Sequence, residues 1–154
     1  MNSSTLISHE DLETIDIGKK ISNFISKKNN SYPFLIFLIG ELGAGKTTLC
    51  KGILRGLGHK GVVKSPTYNL VETYEISGFS IFHFDFYQIS HPKELSNIGI
   101  QEYLDTNNGV SIIEWPEKMI SFLPDPDIEI ILNHSENNEE ERTLEIKSKD
   151  SIDL

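Results

Sequence analysis

The first clear hydrophobic pattern in the chain is helical, with apolar residues recurring on one face of a predicted helix. These residues are Ile17, Ile21, Phe24 and Ile25. Ser8 precedes them and can cap the helix, with Asp11 as a shorter version of the glutamate that usually stands at the third position. We expect the polar segment 27–31 to end this helix.

Six consecutive apolar residues, Phe34–Ile39, predict a strand that is buried on both faces of a sheet. A glycine-rich loop follows this strand. The pattern after the loop predicts a helix from Lys46 to about Leu57, which Gly58 closes. A strand–loop–helix unit is therefore predicted early in the chain.

Short strands and turns follow this unit. The predicted elements are, in order, strands Leu70–Tyr74 and Phe79–Asp85 with a hairpin turn at Ser77-Gly78, helical residues Pro92 to Leu104 broken near Gly99, a strand Val110–Glu114, a rigid connector at 124–127, and a closing hairpin of Ile128–Leu132 and Arg142–Ile146 with an exposed acidic tip. The strand–loop–helix unit and the hairpins predict an α/β fold. We expect a P-loop NTPase-type mixed central sheet, flanked by helices and extended by antiparallel hairpin strands, in a single domain spanning 1–154.

The loop between the first strand and its helix carries the most specific motif of the chain. Gly40, Gly43 and Gly45 stand at spacings that allow the backbone N–H groups to surround an anion, as in a P-loop. Lys46 can reach the β- and γ-phosphates of a nucleoside triphosphate, and the hydroxyl of Thr47 is placed to ligate Mg²⁺. The expected nucleotide-binding residues of this loop are Glu41, Leu42, Gly43, Ala44, Gly45, Lys46, Thr47 and Thr48.

A triphosphate site also needs a carboxylate on the metal side, and two strands end in one. Asp85 ends one apolar strand, where the alternation turns His83 to the same face, and Glu114 ends another. Two carboxylates on one sheet edge can share a Mg²⁺ shell, although each can also be an ordinary exposed acid at a strand end. His83 could act as a base, but a packed strand histidine is the favoured interpretation.

Two neighbouring segments carry weaker signals. Thr67 follows Ser65-Pro66, in the position where P-loop proteins place a segment that senses the γ-phosphate. Thr67 could contact Mg²⁺, the phosphate or the attacking water, and an ordinary turn is an equally good interpretation. Trp115 follows Glu114 directly and either forms a wall of the nucleotide site or belongs to the core.

Composition narrows the class of protein. With 23 acidic and 14 basic residues the net charge is −9, which disfavours nucleic-acid binding by the chain alone. A single cysteine, no membrane-length apolar run and no signal-peptide pattern suit the cytoplasm. The sequence lacks the Asn-Lys-x-Asp segment that specifies guanine, which disfavours a GTPase, and it contains only two arginines. Small-molecule kinases usually need several arginines to clamp the phosphates, so we expect no phosphate-clamping lid in this chain. With so few arginines we also expect slow ATP turnover by the isolated chain.

Five short segments, in this order, resemble one family. They are Gly40–Thr48, Val63–Tyr68, His83–Tyr87, Glu114–Pro116 and Leu123–Asp127. The sequence is similar to the small bacterial ATPases required for threonylcarbamoyladenosine modification of tRNA, often called TsaE, and the similarity runs from about Thr14 to Leu132. Gln88 is a departure, because the family commonly has arginine there and glutamine lacks its charge and bidentate geometry.

This resemblance implies an α/β ATPase that hydrolyses ATP with Mg²⁺. It implies that Thr47 and Glu114 ligate the metal, with Asp85 beside them, and that Lys46, Thr67, Asp85 and Trp115 have functional roles. It also implies partnership with the two-subunit threonylcarbamoyl transferase complex, which acts on adenosine 37 of tRNAs that read codons beginning with A, so that tRNA is contacted only indirectly and no membrane is involved. A small-molecule kinase and a non-hydrolysing nucleotide-dependent binding module are the alternatives.

Overall fold

Seven strands form one mixed sheet in the computed structural model, which describes residues 1–28, 33–76 and 78–154. The strands are β1 (Asn2–Ser8), β2 (Phe34–Ile39), β3 (Val71–Ile76), β4 (Phe79–Asp85), β5 (Gly109–Glu114), β6 (Ile128–His134) and β7 (Arg142–Ser148). The helices are α1 (Asp11–Lys28), α2 (Lys46–Leu57), α3 (Lys93–Ile98) and α4 (Ile100–Leu104), with a 3-10 helix at Pro116–Phe122.

The centre of the sheet is parallel and its margins are antiparallel. The spatial order is β1-β7-β6-β2-β5-β4-β3, and β2, β4, β5 and β6 run in the same direction. The marginal strands β3, β7 and β1 each pair antiparallel with their neighbours. The predicted α/β fold with a mixed sheet is therefore confirmed, and the continuous apolar run of β2 reflects its place in the middle.

Helices cover both faces of this sheet. On one face α1 and α2 pack against β2 and its neighbours, and residues such as Ile21, Ile53 and Ile36 have no exposed surface. On the other face Phe37 and Phe84 pack with side chains from α3 and α4. Because both faces are covered, the carboxyl ends of the parallel strands are left as the open edge where a ligand can bind.

The contact between α1 and α2 requires glycine at two positions. A Cβ atom added to Gly18 would lie 2.6 Å from the carbonyl oxygen of Leu49, and one added to Gly52 would overlap the carbonyl oxygen of Ile15. The two backbones therefore approach more closely than any side chain would allow. This contact fixes α2, and with it the end of the loop that precedes α2.

Several predicted elements are confirmed. Strands β2 and β4 and helix α2 have the predicted bounds, and Gly58 closes α2 in a left-handed conformation. The helical segment after Pro92 is interrupted at Gly99, which has φ 70°. The closing hairpin forms from β6 and β7 as predicted, each strand being two residues longer at its end.

The beginning of the chain differs from the prediction. Ser8 is not the cap of α1 but the last residue of β1, and its hydroxyl donates to the carbonyl oxygen of Glu10 at 2.8 Å. At the start of α1 the backbone N–H of His9 donates a hydrogen bond to the carboxylate of Glu13 at 2.7 Å. Strand β1 was not predicted, because its largely polar residues show little alternation of apolar and polar positions. Backbone pairing with β7 stabilises it instead.

Two smaller differences concern local backbone. Leu70 was predicted in β3 but has φ 68° and precedes the strand, and the 3-10 helix at Pro116–Phe122 was not predicted. The predicted helix end at 29–31 and the first residue of the turn at Ser77-Gly78 lie outside the described residues. No helix in the described part of the chain is long and apolar enough to cross a bilayer.

Gly52→Ala should lower the free energy of unfolding by about 1–3 kcal/mol, although alanine favours helices, because the added methyl group would force α1 and α2 apart. Urea denaturation followed by circular dichroism measures the change. Gly61→Ala is the control, since its added methyl group would meet only the side chain of His59. Equal stability of the two variants would show that the helices can separate at no cost.

Candidate functional site

The glycine-rich loop leaves β2 at its carboxyl end and enters α2 at Lys46. Gly43 and Gly45 have φ angles of 78° and 101°, a region that side-chain-bearing residues rarely adopt. A Cβ atom on Gly40 would lie 2.7 Å from the carbonyl oxygen of Leu132 in β6. The glycines thus allow the loop to curl over the sheet edge, so that its N–H groups and the amino end of α2 surround a small hollow.

The Lys46 side chain bonds to the backbone of this loop. Its ammonium group donates hydrogen bonds to the carbonyl oxygens of Gly40 and Glu41, the latter at 3.2 Å, and it lies 4.2 Å from the ring centroid of Trp115. Burial lowers the pKa of Lys46, and nearby carboxylates, led by Glu114, offset this only in part. The side chain is therefore a buried cation held beside acceptors on several sides.

Trp115 lines this site and also packs against the core on one face of the sheet. It is half-buried, follows the last residue of β5, and has φ 59°, which is uncommon for a bulky residue. Its ring lies 5.0 Å from that of Tyr87 and beneath the Lys46 ammonium. Strained backbone that persists in a folded protein is held there by its surroundings, and here those are the lysine and tyrosine.

The two strand-end carboxylates lie side by side. Asp85 and Glu114 stand opposite each other in the parallel register of β4 and β5, and both are buried. Glu114 accepts a 2.6 Å hydrogen bond from Nε2 of His83, which has no exposed surface. Burial lowers the pKa of His83, but the contacts with Cys50 and Glu114 more than compensate and raise it overall. The predicted pair of carboxylates is thus assembled beside Lys46.

Asp85 connects the second strand end to the Thr67 segment. One carboxylate oxygen accepts the hydroxyl of Thr67 at 3.1 Å, and the other accepts the N–H of Tyr87 at 2.9 Å. The Thr67 hydroxyl is in turn 2.7 Å from that of Ser65. Thr67 is therefore anchored to the carboxylate edge, and the segment is more than a solvent-exposed turn.

A cleft of about 340 Å³ unites most of the predicted residues. It is lined by Leu42, Gly43, Ala44, Gly45, Lys46, Thr47, Thr48, Thr67, Asp85, Glu114 and Trp115. Glu41 does not line the cleft and contributes its carbonyl oxygen to Lys46 instead. Ser65, next to Thr67 in the predicted sensor segment, also lines the cleft, as do Asp11 and Arg142, which were not assigned to a site from the sequence.

Arg142 reaches the loop from β7. Its guanidinium donates to the carbonyl oxygen of Glu141 at 3.1 Å and to that of Gly43 at 3.4 Å, and it also contacts the carbonyl of Glu139. Its buried Nε has no hydrogen-bond partner among the described residues. No local pattern could have identified this residue, because it reaches the loop only through the pairing of β7 with β6.

The oxygen donors of the cleft suit a hard cation. Among the described residues no three His, Cys, Asp or Glu side chains form a metal-binding group. Glu114 and the hydroxyl of Thr47 are oxygen ligands of the kind that Mg²⁺ takes, and Mg²⁺ commonly completes its shell with water and substrate phosphates. The residues present therefore fit a magnesium ion bound together with a nucleotide, and do not form a metal cage of their own.

The fold and the site define an α/β protein in which a glycine-rich loop joins a buried strand to a helix, with two acidic strand ends beside the loop. A family model described as "Threonylcarbamoyl adenosine biosynthesis protein TsaE" matches residues 8–144. The chain therefore belongs to the TsaE family, as the five sequence segments predicted.

Individual relatives agree with this membership. The tRNA threonylcarbamoyladenosine biosynthesis protein TsaE of Haemophilus influenzae is 42% identical over 134 residues, covering 87% of this chain and 84% of the relative. The protein of the same name from Rickettsia bellii is 36% identical over 133 residues, covering 86% and 87%. The crystal structure of YdiB from Bacillus subtilis matches with a TM-score of 0.76 over 96% of this chain and 86% of that one. At 24% identity it supports the fold alone.

Thr67→Val should release the Thr67 segment, because valine keeps the shape of threonine but cannot donate to Asp85. We expect a loss of about 1 kcal/mol in unfolding free energy and faster amide hydrogen exchange at residues 67–70. Thr73→Val on the exposed side of β3 is the matched control. Unchanged exchange in Thr67→Val would mean that the hydrogen bond does not hold the segment.

Proposed function

We propose that the chain is a Mg²⁺-dependent ATPase that serves the threonylcarbamoyladenosine modification of tRNA. The observation that carries the proposal is the arrangement of Lys46 between the glycine-rich loop and the paired carboxylates Asp85 and Glu114. Membership of the TsaE family, and the printed names of the relatives, support the biological process.

The loop would bind the phosphates of ATP. Its backbone N–H groups and the amino end of α2 favour anions, and glycine at 43 and 45 keeps side chains out of the way. Lys46 bonds to two carbonyl oxygens in this structure. A phosphate oxygen can replace them, because a charged acceptor attracts the ammonium group more strongly than a neutral carbonyl does. Lys46 would then neutralise charge that develops on the γ-phosphate as its bond to the leaving group breaks.

Thr47 and Glu114 would hold the magnesium ion. The ion, when bound, draws negative charge from the phosphate oxygens. Asp85 already accepts hydrogen bonds on both oxygens, so its role would be indirect, through Thr67 or through a water molecule. Trp115 would form the wall beside the phosphates, and its contact with Lys46 would help to orient the ammonium group.

Thr67 would connect the nucleotide to the rest of the molecule. Its hydroxyl bonds to Asp85, and Pro66 before it is buried and has a restricted φ, so the segment has few alternative conformations. A γ-phosphate offers the hydroxyl a competing acceptor. Exchange between Asp85 and the phosphate would therefore make the position of this segment depend on whether ATP or ADP is bound.

The part of the cleft near Arg142 would hold the nucleoside. Thr48 and Asp11 line the same cleft, and Arg142 bonds to the loop itself at Gly43. A planar guanidinium can stack on a base or donate to ribose and phosphate oxygens. The glycine-rich loop offers mainly backbone groups, which suit phosphates. These three side chains would supply the contacts to the base.

The partner would be the two-subunit threonylcarbamoyl transferase complex in the cytoplasm. The net charge of −9 disfavours direct binding of tRNA, so tRNA would be reached through the transferase. Both arginines are bonded to carbonyl oxygens, Arg55 to those of His59 and Gly61, and Arg142 at the loop. Turnover in isolation would therefore be slow, because no unengaged arginine faces the γ-phosphate end.

Lys46→Ala should reduce ATP hydrolysis at least about 100-fold, because it removes the cation aimed at the γ-phosphate. Released phosphate measures turnover, and mass spectrometry of tRNA incubated with the transferase proteins measures modification. Lys51→Ala, exposed on the same helix, is the matched control and should keep both. Turnover by a folded Lys46→Ala protein at the wild-type rate would refute the proposal, and phosphate transfer to a small metabolite would identify a kinase instead.

Arg142→Ala should weaken the binding of ATP about tenfold, the effect of losing a hydrogen bond made by a charged group. Calorimetric titration with a non-hydrolysable ATP analogue measures the affinity. Arg55→Ala removes the other arginine, on the far side of α2, and should leave the affinity within about twofold. If both variants bind equally well, Arg142 supports the loop without contacting the nucleotide.

A further inference from the structure

His83 has no exposed surface and stands where the apolar part of its sheet face meets the polar end. Ile81 in the same strand and Ile112 opposite it on β5 lie on the apolar side, whereas Asp85 follows in the same strand and Glu72 lies opposite on β3. An aliphatic side chain here would continue the core without the cost of burying an imidazole. Replacing a buried polar pair with well-packed apolar residues is often neutral or stabilising, so stability alone does not account for the histidine.

The imidazole contacts only one oxygen of the Glu114 carboxylate. Nε2 lies 2.6 Å from Oε2, and in both the Nε2–H tautomer and the imidazolium this nitrogen donates to the carboxylate. No described residue forms a hydrogen bond with Oε1 of Glu114. One oxygen is thus fixed from inside the sheet, and the other remains available at the edge of the cleft that Glu114 lines.

The other side of the ring faces α2. Cys50, fully buried one turn after Lys46 and Thr47, belongs to the core cluster that contains Ile81 and Ile112, the apolar residues beside His83. The second ring nitrogen, Nδ1, is buried and has no partner of hydrogen-bond geometry among the described residues. His83 therefore packs between the strand that ends in Glu114 and the helix that begins with Thr47.

We propose that His83 is a positioning residue, which holds the Glu114 carboxylate at a fixed orientation and distance from α2 for a divalent cation bound with the nucleotide. This inference rests on the proposed function, since it takes Glu114 and Thr47 as the ligands. A carboxylate bonded through one oxygen loses most of its rotational freedom before the cation arrives. Partners of this kind typically change metal affinity 10–100-fold when they are removed.

The test measures how much magnesium strengthens nucleotide binding. We define the magnesium gain as the ratio of the dissociation constants of AMP-PNP in EDTA and in saturating Mg²⁺, both measured by calorimetry. His83→Leu should lower this gain about tenfold or more while leaving binding in EDTA within about twofold. Phe84→Leu, which removes a buried ring on the opposite face of the same strand, is the matched control and should keep the gain.

The length of the replacement side chain distinguishes a positioning role of His83 from simple packing. The amide nitrogen of His83→Gln extends to about the place of Nε2, so this variant should keep most of the gain. His83→Asn carries the same amide on a shorter side chain and should lose most of the magnesium gain. If His83→Leu fails to fold, these two variants decide, and equal gains in both would overturn the proposal.

A double variant shows whether His83 acts through Glu114. Glu114→Gln should abolish most of the gain, and adding His83→Leu to it should cause no further loss. A further loss of similar size to that in the single variant would indicate general loosening and overturn the proposal. If Glu114→Gln loses the gain but His83→Leu keeps it, the inference alone is wrong. If Glu114→Gln keeps the gain, the assignment of the metal ligand in the proposed function is wrong as well.

Discussion

The parallel register of three neighbouring strands determines the site. Because β2, β5 and β4 run in one direction and are aligned, the glycine-rich loop, Glu114 and Asp85 emerge at the same edge. None of these groups could reach the others from an antiparallel arrangement, in which alternate strand ends lie on opposite edges. The covering helices contribute by closing both faces, which leaves this edge as the place where polar side chains meet without entering the core.

Much of this arrangement could be predicted from local pattern. The apolar run of β2, the loop glycines and the cap at Gly58 are encoded within short segments, and the strand-end positions of Asp85 and Glu114 follow from where apolar runs stop. What could not be predicted depends on pairing between distant segments. Arg142 reaches the loop through the β6–β7 ladder, and β1 exists because β7 offers it an edge, and neither relation leaves a periodic signal.

The electrostatic balance of the site explains why its parts are interdependent. Lys46 is buried among carboxylates, with Glu114, Glu117 and Asp85 acting on it, and burial raises the pKa of Glu117. A buried charge is stabilised only when partners surround it, so the lysine and the acidic edge stabilise each other.

The pairing of β1 with β7 has a consequence for the order in which the protein folds. The strand, loop and helix around Lys46 are contiguous in sequence and can organise early, whereas the pairing of β1 with β7 joins segments from far apart in the chain. Closing so long a loop carries the largest entropic cost and slows folding. The loop around Lys46 and the β6–β7 hairpin that carries Arg142 can therefore come together before β1 completes the margin of the sheet.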